Sequence, residues 1–224
     1  MTAEPDLAAV GAAIGNRARA AMLIELLGGR ALTAGELART ARVSPSSASA
    51  HLATLTASGL LAIEKQGRHR YYRLAGREVA EALEALTALG PPQPAKSLAG
   101  SNRHRAERAA RSCYDHMAGA LGVAVTDRLC ELGALDPSSL SLMDPGPFGA
   151  LGVNPDAVAG GRRPMTRSCL DWSERRPHLA GALGAALLET GLERGWLERR
   201  RSGRALLVTP TGRDGFADAI GLRL

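Results

Sequence analysis

Aromatic side chains are scarce in this chain of 224 residues: two Phe, two Trp and three Tyr make up 3% of it. Its core must therefore be aliphatic, and a hydrophobic content of 45%, mostly Ala, Leu and Val, is enough to bury one. Lysine is scarcer still. Only Lys65 and Lys96 occur among 28 basic residues, so the formal charge of +6 is carried by arginine. Three cysteines, Cys113, Cys130 and Cys169, are an odd and sparse set that argues against a secreted disulfide framework. Long apolar runs are missing, because charges and glycines interrupt each one, and no stretch approaches a membrane span. The opening MTAEPDLAAVGAAIGNRAR has no positive region ahead of an apolar run and does not read as a signal peptide. A soluble cytoplasmic protein without a membrane partner is expected. Its pI near 9.9 favours an acidic partner, and the arginine fork suits phosphate oxygens and guanine edges. GC-rich coding gives the same arginine bias, so charge alone does not decide.

The first ninety residues are more specific. Apolar residues recur at helical spacing from Leu7 to Leu27, with Gly15-Asn16 separating two helices and Gly28-Gly29 ending the second. Thr33 with Glu36 is a capping-box pattern opening a short helix, ELARTARV. In SPSSASAHLATL, Ser44 is an N-cap, Pro45 takes the first helical position, Leu52 and Leu55 face inward, and Gly59 is the stop. LLAIEKQGRHRYYRL then reads as two strands around Gly67, and REVAEALEALTAL as a last helix.

Three helices followed by a basic hairpin make a winged helix-turn-helix. Ser46, Ser47 and Ser49 fall in the first turns of its recognition helix, the part that enters a major groove, where small hydroxyls avoid clash and still offer donors and acceptors. Lys65, Arg68, His69 and Arg70 lie at or beside the hairpin turn, within reach of a phosphate backbone or minor groove. The plain alternative is that the serines only cap the helix and the hairpin is a solvated loop.

The stretch ELARTARVSPSSASAHLATLTASGLLAIEKQGRHRYYRL resembles the DNA-reading part of ArsR/SmtB-type winged-helix repressors, over about Arg17 to Leu89. The resemblance implies a homodimer that pairs through its first and last helices and binds a palindromic double-stranded operator. It also implies release, or altered binding, on sensing an effector. It carries DNA contacts to Ser46, Ser47, Ser49 and Arg68, with Ser44 as cap. His51 matches the family's mid-helix histidine, which touches phosphate or packs between helices. Two departures stand out. The helix ELARTAR has neither Cys nor His, and REVAEALEALTAL offers only glutamates, so both usual metal sites of that family are missing.

GPPQPAKSLAGSN is a linker by composition. The expected organisation is a DNA-binding domain over 1–90, a linker over 91–102, and a sensing or dimerising domain over 103–224. The fold class is mainly α with small β-wings. In the second half RHRAERAARSCYDHMAGALGVAVTDRLCELGAL reads as a long helix broken near Gly122, and RPHLAGALGAALLETGLERGWL as another, with Pro177 in its first turn. The end of the chain echoes the wing. Gly59, Leu61, Gly67, Arg68, Gly76 and Arg77 align without a gap on Gly195, Leu197, Gly203, Arg204, Gly212 and Arg213, pointing to a second wing-like hairpin and a degenerate second winged helix.

Most reactive side chains of the second half sit in Cys113-Tyr-Asp115-His116 and Cys169-Leu-Asp171-Trp172, with His178 soon after. Read as helical, Cys113 and His116 share a face. Cys113, His116 and Cys169, with Asp171 or His178 as a fourth, would suit zinc or another transition metal if the two strings meet. The spacing also admits a thiol redox sensor, a pocket for a small organic effector, or plain core packing. The expected function is a DNA-binding regulator, not an enzyme. Two other readings are a thiol enzyme with Cys113 as nucleophile and His116 as base, and a winged helix that docks a protein.

Overall fold

The computed structural model describes residues 6–91, 98–161, 163–200 and 203–224, without the side chains of residues 98 and 99. The chain divides into two compact units, Met1–Leu83 and Glu84–Leu224.

In the first unit each helix begins where a side chain can take up its free amides. Helix α1 (Leu7–Ile14) is capped by Asp6, α2 (Arg17–Leu26) by Asn16, and α3 (Ala34–Ala41) by the reciprocal Thr33–Glu36 box. Helix α4 (Pro45–Ala57) is capped by Ser44, whose Oγ accepts from the Ser47 amide at 3.2 Å, with Pro45 at the position that needs no amide. Between α2 and α3 lies a two-residue strand, β1 (Leu32–Thr33). The hairpin β2 (Leu61–Gln66) and β3 (His69–Leu74) places β3 centrally in the order β1-β3-β2, with Gln66 opposite His69. That register leaves Gly67-Arg68 as a two-residue turn, and Gly67 adopts φ +57, a conformation glycine takes without strain. Leu23, Leu26, Leu37, Leu52, Leu55 and Leu74 are buried, so the core is aliphatic as the composition requires. Helix α5 (Arg77–Leu89) follows.

The second unit departs from the helical reading. Helix α6 occupies Leu98–Ala109, so the end of the 91–102 segment is helical; residues 92–97 lie outside the described residues. The expected long helix then breaks into a hairpin, β4 (Arg111–Cys113) and β5 (His116–Ala118), before α7 (Gly119–Glu131). Two backbone reversals cause the break: Tyr114 at φ 58 in the turn and Gly119 at φ +75 at the start of α7. Short helices α8 (Gly146–Ala150) and α9 (Pro155–Val158) interrupt the turn-rich stretch. A second hairpin, β6 (Arg167–Leu170) and β7 (Pro177–Ala180), leads through Gly181 at φ +89 into α10 (Gly181–Glu193). Pro177 and Leu179 therefore belong to a strand and not to the first turn of a helix. The chain closes with hairpin β8 (Leu197–Arg199) and β9 (Leu206–Val208), then α11 (Pro210–Ile220).

The two hairpins are copies of one motif. RSCYDHMAGALG at 111–122 and RSCLD…HLAGALG at 167–184 differ mainly by six residues, WSERRP, inserted in the second turn. Cys113 pairs with His116 across one hairpin and Cys169 with His178 across the other. Each is followed by a helix that sends an equivalent leucine, Leu121 or Leu183, into one core with Phe148 and Phe216. Glycine at 122 and 184 is required in the same way: a Cβ there would lie 2.5 Å from the Met117 carbonyl oxygen or 2.6 Å from that of Leu179.

Candidate functional site

The outward face of α4 is unusually thin. Ser46, Ser47, Ser49, Ala50, Ala53 and Thr54 are exposed on it, while Ala48, Leu52 and Leu55 are buried beneath. Ser44 Oγ donates to Ser47 Oγ at 3.0 Å and lies 3.0 Å from Ser46 Oγ, and Ser49 Oγ donates to the Pro45 carbonyl at 3.0 Å. Such local bonds hold the hydroxyls close to the backbone and leave each oxygen lone pairs for a further partner. His51 is half-buried. On the wing, Lys65, Arg68, His69 and Arg70 are all exposed, and Lys65 stands directly opposite Arg70 across the ladder. Like charges facing each other destabilise a hairpin, and an anion between them relieves the repulsion. The hairpin at the chain's end is different. Arg204, which aligns with Arg68, is buried and ion-paired with Glu84 of the same unit, so it offers no charge to solvent.

The second unit brings the two cysteine strings together. Cys113, His116, Cys169 and His178 have their donor atoms all within 4.8 Å of one another. The two Sγ atoms are 3.9 Å apart, the two Nε2 atoms 3.1 Å, and the imidazoles stack with centroids 5.0 Å apart. Cys113, His116 and His178 are buried and Cys169 is half-buried. The hydrogen bond to Cys169, together with burial, pushes the Cys113 thiol well above the ordinary range. The same bond, joined by those from His116 and His178, pulls Cys169 well below it in spite of burial. Burial opposes a proton on His116, but its hydrogen bonds to Asp115 and Cys169 outweigh that and raise its pKa.

Asp171 does not join this cluster. Its carboxylate accepts from Arg111 at 2.8 Å, from the Gly119 amide at 2.6 Å, and from the amides of Ser173 and Glu174 at 2.8 and 3.0 Å. Arg111 and Asp171 both have 0% exposure, and Arg111 also donates to the Glu107 carbonyl and Ser173 and lies 4.6 Å over the Trp172 ring. Burial raises the Asp171 pKa, but Arg111 and these donors outweigh it, and the carboxyl is held far below the usual carboxylate range. Cys113 and His116 meet as cross-strand partners, not along a helix face. The signal for the full set was present in the sequence as the repeated R-S-C-x-D…H-x-A-G-A-L-G, which pairs His178 with His116; the inserted WSERRP hid it.

Comparison with known proteins agrees with this architecture. A family model described as a helix-turn-helix domain matches residues 14–64. An uncharacterized HTH-type transcriptional regulator, YdfF of Bacillus subtilis strain 168, is 39% identical over 224 residues, covering 98% of this chain and 99% of that protein. Among solved structures, HlyU from Vibrio cholerae N16961 is 33% identical over 37% of this chain and 88% of its own, with a TM-score of 0.34. The cadmium metal-sensor CMTR from Mycobacterium tuberculosis is 31% identical over 41% of this chain and 99% of its own, with a TM-score of 0.33. Both are partial likenesses, and the assignment rests on the relative matched from end to end: the chain belongs to the HTH-type transcriptional regulators, with a winged helix at its reading end of the kind the ArsR/SmtB resemblance implied.

Proposed function

We propose that this regulator is a homodimeric repressor of the ArsR type. It reads a palindromic operator through Ser46, Ser47 and Ser49 in the major groove and clamps the flanking backbone with Lys65, Arg68, His69 and Arg70. The second unit senses an effector that alters this binding. The observation that carries the reading is the thin, hydroxyl-lined start of α4 beside a wing with two cations facing each other, a surface shaped and charged for a groove and its phosphates. Dimerisation is supported by apolar residues left exposed on the two helices the resemblance points to: Leu7 at 81% on α1 and Leu89 at 83% on α5. A thiol enzyme is disfavoured because Cys113, its proposed nucleophile, is buried and its thiol pKa is raised by its hydrogen bond to Cys169 and by burial.

Selection of genomic fragments on the immobilised full chain tests the reading. The expected operator has two half-sites about one helical turn apart or a multiple of it. Ser47→Glu places a negative charge against the phosphates and is expected to abolish binding with the fold intact. Unchanged operator binding by that variant contradicts the assignment, and favours a winged helix that docks a protein.

A further inference from the structure

The four side chains between the two repeats have the composition and spacing of a metal centre. We propose that Cys113, His116, Cys169 and His178 bind one transition-metal ion of the zinc type in a tetrahedral Cys2His2 site, each hairpin supplying one thiolate and one imidazole. The four ligands lie in the second unit, and the operator-binding residues in the first.

The donor spacing also matches what an ion would require. With Zn–S of about 2.3 Å and Zn–N of about 2.0–2.1 Å, a tetrahedral ion holds its two sulfurs roughly 3.8 Å apart and its two nitrogens roughly 3.3 Å apart. The observed separations are 3.9 Å for Sγ–Sγ and 3.1 Å for Nε2–Nε2. A disulfide needs its sulfurs about 2.05 Å apart, would use two of the four residues, and would leave the facing imidazoles without a role.

The imidazoles are turned the right way. His116 directs Nδ1 to the Asp115 carboxylate at 3.2 Å; His178 Nδ1 faces Asp171 at 3.9 Å, an electrostatic distance too long for a hydrogen bond. The carboxylate behind His116 Nδ1 keeps the proton there and frees its Nε2 lone pair for a metal. The two Nε2 atoms face each other at 3.1 Å, a separation that a shared proton or a metal ion between them satisfies. Arg163, bonded to Asp115 at 2.8 Å, and Arg111, bonded to Asp171 at 2.8 Å, fix the two carboxylates in turn. Thiolate and imidazole donors together select zinc, cobalt or similar ions over magnesium and calcium. Four protein ligands close the coordination sphere, which suits an ion that joins the repeats or signals its own presence and leaves no position for a substrate.

The two repeats are also cut to bring these ligands together. A Cβ at Gly184 would lie 3.3 Å from the His116 Cβ, and one at Gly122 would lie 3.8 Å from the His178 Cδ2. Each histidine thus packs over the glycine of the other repeat's helix, and both copies of the motif keep that glycine.

The test is elemental analysis of the full chain purified under reducing conditions, followed by removal of metal with chelator and titration with cobalt(II) alone. One zinc-class ion per chain is expected. Cobalt should produce intense visible bands with thiolate-to-cobalt charge transfer, saturating at one equivalent. Cys169→Ser and His178→Gln should weaken cobalt binding more than about 100-fold, since loss of a direct ligand exceeds the 10–100-fold cost of losing an outer partner. Cys130→Ser, outside the cluster, should leave the spectrum unchanged. The wild-type titration stands whether or not a ligand variant folds. Reduced protein with all thiols free that yields no tetrahedral cobalt spectrum overturns the proposal, as does a spectrum that survives Cys169→Ser in folded protein. Recovery of a Cys113–Cys169 disulfide, with no metal taken up after reduction, overturns it in favour of a redox pair.

Discussion

Asp171→Asn is the most informative single perturbation of the second unit. The side chain has no exposure, and one of its oxygens receives both the Arg111 guanidinium at 2.8 Å and the Gly119 amide at 2.6 Å. Asparagine keeps the shape but cannot balance the charge, so Arg111 is left buried beside a neutral amide. Breaking one partner of a buried ion pair costs about 3–5 kcal/mol. For a chain of this size about 2–4 °C of Tm accompanies each kcal/mol, giving a fall of roughly 6–20 °C. Both tryptophans, Trp172 and Trp196, lie in the second unit, so their fluorescence during thermal unfolding reports the affected part. The loss should be far milder in the double variant Arg111→Met with Asp171→Leu, which removes both charges together. A fall below about 3 °C for Asp171→Asn would show that Arg111 has another way to neutralise its charge, and would refute the buried-pair account.

The folded-state pKa of Asp171 lies below its ordinary value of 3.8, so its contribution to stability is full above that pH and is lost as pH falls below it; acid titration of the tryptophan signal should show earlier acid unfolding in wild type than a carboxylate-free core would. Leu55→Ala, at 0% exposure under α4, should cost about 2–5 kcal/mol by urea denaturation and weaken DNA binding only through lost fold. Gly122→Val should destabilise the second unit through its clash with the Met117 carbonyl, read as a lower Tm, while Gly67→Ala should act only on the wing turn.

The first unit was legible because its signals are local. Asn16, Thr33 and Ser44 announce helix starts within three residues, and Gly59 and Gly67 mark turns that need positive φ, so no distant contact had to be guessed. The short strand β1 was not, since two residues carry no periodicity and exist as a strand only by pairing with Tyr71 and Tyr72. In the second unit the turn after Cys113 uses Tyr114 in a left-handed conformation where glycine or asparagine would have advertised it. Arg111 carries a full charge at a core position, and its partner lies 60 residues away, a contact that no local pattern reveals. The wing echo at Gly195 did mark a real hairpin, but its arginine turned inward to Glu84 and not outward like Arg68.

The central claim is that α4 and the wing read a specific operator. Its most direct test is fluorescence anisotropy of the full chain on the selected operator and on a scrambled duplex, over a series of salt concentrations. The account predicts operator binding at least about 10³-fold tighter than binding to the scrambled duplex at physiological salt. It also predicts that affinity falls as a power of salt, with a slope reduced by about one when Arg68 is changed to Ala. Equal affinity for both duplexes, or a salt slope untouched by Arg68→Ala, would contradict it.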